Sequence, residues 1–153
     1  MNLPKYPLAS SDNLMTFEFT SEGPKGLIHK IVKYQPMRLK YTYNLVFGDK
    51  DHSTGNVDDL VISDNKDSEK VLASVVSTVY AFTDKFPEAW IYATGSTKSR
   101  TRLYRMGITK FLSEVEENFE VLGEYNDNWE TFRKDVEYEG FLVRRIRKIM
   151  CNR

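Results

Sequence analysis

Between residues 14 and 86 the spacing of apolar side chains changes period, and that change limits the folds open to the chain. Residues 14–20 (Leu-Met-Thr-Phe-Glu-Phe-Thr) alternate apolar and polar up to Gly23-Pro24-Lys25-Gly26, and residues 27–34 form a second β-like run. A hairpin is predicted there. Residues 40–47 alternate again, with Tyr41, Tyr43, Leu45 and Phe47 on one face, and Leu60-Val61-Ile62 follows a polar loop. From Asp67 the rhythm becomes helical: Val71, Leu72, Val75, Val76, Val79, Phe82 and Phe86 recur at three- and four-residue steps until Pro87, with Asp67 or Ser68 as N-cap.

Residues 89–94 read as a short strand that leads into a second amphipathic helix over about 97–118. In that helix Tyr104, Ile108, Phe111, Leu112 and Val115 share one face, and Lys98, Arg102, Arg105 and Thr109 another. Val121-Leu122-Gly123 and residues 138–143 supply late strands, joined by a polar segment with Trp129 and Phe132. The expected fold is therefore α+β: a mainly antiparallel sheet with two principal helices on one face, in the approximate order ββββαβαββ. With 41% hydrophobic and 13% aromatic residues a packed core is favoured over disorder, and 153 residues fit a single domain that buries about 68–70% of its unfolded surface. Residues 1–12 and 147–153 read as flexible tails.

Lys plus Arg total 22 and Asp plus Glu 22, so no global field draws the chain to nucleic acid or membrane, and any anion site must be local. Arginine is unevenly placed. Arg38 alone precedes Gly95, whereas Arg100, Arg102, Arg105, Arg133, Arg144, Arg145, Arg147 and Arg153 follow it. A lone Cys151 excludes an internal disulfide and any Cys-based metal cluster, which points to a reducing compartment. The amino terminus has no apolar signal segment and no run approaches a membrane helix, so the expected location is the cytoplasm.

The candidate site is Gly95-Ser96-Thr97-Lys98-Ser99-Arg100 with Arg102 and Arg105: a small-residue turn between a strand and a helix that carries hydroxyls and cations. Helix N-termini expose unpaired N–H groups and partial positive charge, so this reads as a seat for phosphate or carboxylate. The competing reading is an ordinary capped helix with solvated cations. Tyr104, Trp129, Arg144 and Arg145 are accessory candidates, the aromatics as stacking surfaces and the arginines as a second cationic edge. Neither a P-loop nor a Gly-x-Gly-x-x-Gly pattern is present, and the glycine pattern of acetyltransferase coenzyme A seats is missing.

The acidic loop 48–59 fails as an EF-hand, since Thr54 and Leu60 stand where Gly and Glu are required, and it reads as a solvated turn. His29 and His52 have no nucleophile partner in sequence, and a spatial pairing of His29 with Glu124 or Glu139 has no motif behind it. No cofactor or metal is called for.

Residues 95–108 together with Tyr-Glu-Gly-Phe-Leu-Val at 138–143 resemble a domain-of-unknown-function family of small bacterial proteins, over nearly the whole chain. The resemblance implies a stand-alone bacterial protein and attaches no catalytic role to any residue. The favoured function is non-catalytic binding of a phosphate-bearing ligand, nucleic acid or nucleotide, through residues 95–105. The alternatives are a small transferase or nuclease using the same seat, or a protein-interaction component of a toxin–antitoxin or defence pair.

Overall fold

Turn residues punctuate the chain where the alternating runs must reverse, and the strands form between them. In the computed structural model, which describes residues 3–58, 63–95 and 98–146, the order is β1 (Ala9–Ser10), β2 (Thr16–Gly23), β3 (Gly26–Pro36), β4 (Thr42–Lys50), β5 (Val57–Asp58), α1 (Ser68–Lys85), β6 (Trp90–Ala93), α2 (Lys98–Lys110), α3 (Leu112–Asn118), β7 (Phe119–Tyr125), β8 (Asn128–Thr131) and β9 (Gly140–Arg145). The expected strand at 60–62 and the carboxyl-terminal tail 147–153 lie outside the described residues. One sheet runs β1-β2-β3-β4-β6-β9-β7-β8, with β5 paired to β4. Every pairing is antiparallel except β4 with β6, whose crossover is α1. The fold is α+β, as the periodicities predict.

The β2–β3 hairpin closes through Pro24-Lys25, with Gly23 opposite Gly26. Alternation then sorts side chains onto two faces. Phe17, Phe19, Val32, Tyr34, Leu45, Phe47, Ile91, Phe119, Val121 and Phe141 are buried in one core. α1 lies on that face: Phe82 stacks on Tyr34 at 4.1 Å between ring centroids, and Tyr34 shares a 2.8 Å hydrogen bond with Thr78. The opposite face carries Thr20, His29, Lys33, Gln35, Asn44, Tyr92, Leu142 and Trp129, and no described helix covers it. One row, Gln35-Asn44-Tyr92-Leu142-Leu122-Thr131, crosses six strands in register.

Several local expectations are corrected. Tyr41 is not a core-facing strand residue: it sits at φ 63° in the turn before β4 and is 51% exposed. The second helix breaks at Phe111, whose ψ of 21° departs from the helical value of about −42°, so α3 is a separate helix. Asp67 occupies the α1 N-cap without capping it; its carboxylate accepts the hydroxyls of Tyr6 and Ser21, each at 2.5 Å. Within the expected tail 1–12, Tyr6 is buried, stacks on Phe19 and donates its N–H to the Ser74 hydroxyl. The polar segment after β7 hides a hairpin whose two-residue turn, Asn126-Asp127, has φ values of 51° and 61°, the positive pair that tight hairpins require.

Gly123 admits the buried ring of Tyr138: a Cβ there would lie 2.4 Å from the ring carbons. Tyr138 in turn donates its hydroxyl to Glu130 at 2.7 Å and accepts the Arg133 N–H at 3.0 Å. Gly123→Ala must displace the ring, and we expect a loss of about 1–3 kcal/mol by urea denaturation, the usual cost of overpacking; an unchanged midpoint would contradict this packing.

Candidate anion groove

β6 leaves the sheet after Ala93, and the chain turns through Thr94-Gly95 toward α2. Two local bonds shape that turn. The Thr94 hydroxyl donates to the Glu139 carbonyl at 2.9 Å, tying it to the segment before β9, and the Gly95 N–H donates to Thr101 Oγ1 at 3.0 Å. The Gly95 N–H is thus used internally, as a capped helix start would use it. Ser96, Thr97 and the Arg100 side chain lie outside the described residues, and Ser99 is exposed and apart from the groove.

Helical spacing does the rest. Lys98, Arg102 and Arg105, at i, i+4 and i+7, fall on one side of α2 and line a groove of about 490 Å³ with Thr94, Gly95 and Thr101. The far wall is Glu137, Tyr138 and Glu139. Tyr138 turns into the core and the two glutamates stay exposed. Among the described residues none of the three cations lies within 4.0 Å of a carboxylate. Opposite charges therefore face each other across the groove without pairing. The first turn of α2 holds no acidic residue, so its cations oppose the helix dipole by a few tenths of a kcal/mol each, an opposition that a bound anion would reverse. Burial raises the Tyr138 hydroxyl pKa, helped by its bond to Glu130, so it stays protonated as a donor at neutral pH.

The accessory residues do not gather here. Tyr104 is buried at 8% exposure, in the core beneath α2. Trp129 stands on the open sheet face, its ring 6.0 Å from that of Tyr92. Arg144 and Arg145 lie at the other end of β9, because Arg144 pairs with Trp90 whereas Phe141 pairs with Ala93. Both are engaged there: Arg144 binds Glu120 at 2.8 Å and lies over the Trp90 ring, and Arg145 binds Asp84 at 2.9 Å and the Thr83 hydroxyl at 2.9 Å. His29 is far from Glu124 and Glu139, since β4, β6 and β9 separate β3 from β7. In the acidic loop, Asp49 pairs with the buried Lys30, and Asp51 accepts the Ser53 N–H at 2.9 Å and its hydroxyl at 2.7 Å. Ser53 thereby holds the Asp51 carboxyl below its usual range.

Sequence reasoning missed the glutamate wall. Glu137 and Glu139 reach the groove only through the β6–β9 pairing, and alternation around the buried Tyr138 was the one local sign that both face outward.

The fold and groove define a small α+β protein with helices on one sheet face and a charged cleft at a strand end. The chain matches the model of a family of unknown function, DUF6934, over residues 2–146, and it belongs to that family. No curated protein and no solved structure matches it. Among the described residues no helix is long and apolar enough to cross a membrane.

Proposed function

We propose that the chain is a binding module for a phosphate-bearing ligand, a nucleotide in preference to a nucleic-acid strand, held by Lys98, Arg102 and Arg105. The observation that supports this is the row of cations, unpaired among the described residues, along a groove of about 490 Å³, a size within the usual range for small-molecule sites. A strand is disfavoured by charge. Glu137 and Glu139 flank the groove and would repel a continuing backbone, while Arg144 and Arg145, which could extend a basic track, are paired at the other end of β9.

Equilibrium titration with a fluorescent nucleotide analogue tests the reading. Arg102→Ala/Arg105→Ala should weaken binding at least tenfold, because each charge-assisted hydrogen bond contributes about 1.5–3 kcal/mol. Equal affinity in wild type and double variant would mean that the groove does not hold the nucleotide. The carboxylates opposite the cations favour a second reading, a small transferase or nuclease in which Glu137 or Glu139 takes a proton beside a held phosphate. In that case Glu137→Gln/Glu139→Gln abolishes turnover of a phosphoester substrate and leaves nucleotide binding intact.

A further inference from the structure

The groove uses neither of the chain's two histidines, yet the fold brings them together. His29 lies on β3, one residue beyond the Lys30–Asp49 register pair, and His52 in the loop after β4. Their ring centroids are 5.1 Å apart with planes at 86°, and both side chains are exposed. His29 Nδ1 lies 3.1 Å from the hydroxyl of Thr20, its register partner on β2.

That separation has a chemical meaning. A transition metal sits about 2.0–2.1 Å from an imidazole nitrogen, whose ring centroid is about 1.1 Å further back, so two imidazoles at tetrahedral corners have centroids about 5.2 Å apart when both coordinating nitrogens point at the ion; the spacing is also that of an edge-to-face ring pair, and the rings share an ion once their Nε2 atoms are turned toward it. When Nδ1–H donates to Thr20, Nε2 of His29 keeps its lone pair for a metal, and a hydrogen bond on the other ring nitrogen is the usual way a ligating histidine is oriented. Imidazole donors suit Zn²⁺ and Cu²⁺. We propose that His29 and His52 form a two-histidine site for a divalent transition-metal ion, with Thr20 orienting His29. Among the described residues no group of three or more His, Cys, Asp and Glu is placed to hold a metal, so the site assigned from them has two protein ligands.

The test is calorimetric titration of tag-free protein with Zn²⁺, in a Cys151→Ser background so that the thiol cannot compete. One equivalent is expected to bind. His29→Gln and His52→Gln should each weaken binding at least tenfold, and Thr20→Val by a smaller factor. Both histidines are exposed, so the metal-free variants should keep the parent's urea midpoint, which separates ligand loss from misfolding. No Zn²⁺ uptake, or the same affinity in the His29→Gln/His52→Gln double variant, would overturn the site and leave the rings as a plain edge-to-face pair.

Discussion

Replacing Asp49 with alanine is expected to destabilise the protein by about 3–5 kcal/mol, the usual result of stranding one member of a buried ion pair. Lys30 is 1% exposed and on the core face of β3, where its ammonium meets the Asp49 carboxylate and donates to the Ser63 carbonyl at 3.1 Å. Asp49 also accepts the Ser63 N–H at 3.1 Å. The substitution removes the counter-charge and leaves that N–H without its acceptor. Removing both charges, as in Lys30→Met/Asp49→Leu, should restore most of the loss, since well-packed apolar pairs commonly equal buried ion pairs. Urea denaturation of the three variants gives the answer. An Asp49→Ala cost below about 1 kcal/mol would mean that water reaches Lys30.

Phe82→Ala should lose about 3–5 kcal/mol by the same measurement, the range for deleting a fully buried aromatic ring. Phe82 is 0% exposed. It stacks on Tyr34 and meets Tyr43 and Phe86 at 5.0 and 4.9 Å, so it joins α1 to β3 and β4 at once. Phe82→Leu fills most of the volume and should cost less. With total stabilities of about 5–15 kcal/mol for such domains, either alanine variant removes a large share. A small effect from Phe82→Ala would place α1 elsewhere on the sheet.

The parts of the fold that were legible in the sequence are those governed by local pattern. Gly23-Pro24-Lys25-Gly26 marks its hairpin, and the three- and four-residue spacing from Val71 to Phe82 marks α1 and its buried face. The insertion of β9 between β6 and β7 was not legible, because strand order is decided by pairing between distant segments. Lys30 was invisible as a core residue, for Leu27 to Tyr34 mixes apolar and polar positions without strict alternation. The break at Phe111 falls where the apolar spacing continues unbroken, so periodicity gives no warning of it. Asn126-Asp127 did carry a turn signal, but the strand after it, Asn128–Thr131, is short and mostly polar and gives the alternation little to show.

The candidate site divides the same way. Lys98, Arg102 and Arg105 share a side of α2 by helical spacing alone, and the structure keeps them together. Arg144 and Arg145 look close to them in a linear reading of β9, but the strand carries them about 13 and about 17 Å from Gly140, at about 3.3 Å per residue. The two histidines meet through β3–β4 pairing, which neither local sequence announces.

We propose that the groove beside α2 takes a phosphate-bearing ligand. Its most direct test is a thermal-shift comparison of the wild-type protein with inorganic phosphate, mononucleotides, coenzyme A, and short RNA and DNA. A mononucleotide at 100 times its dissociation constant should stabilise the fold by about 2.7 kcal/mol, with no greater shift from the strands. No shift with any of these anions would contradict the claim and leave Lys98, Arg102 and Arg105 as the solvated face of an ordinary helix.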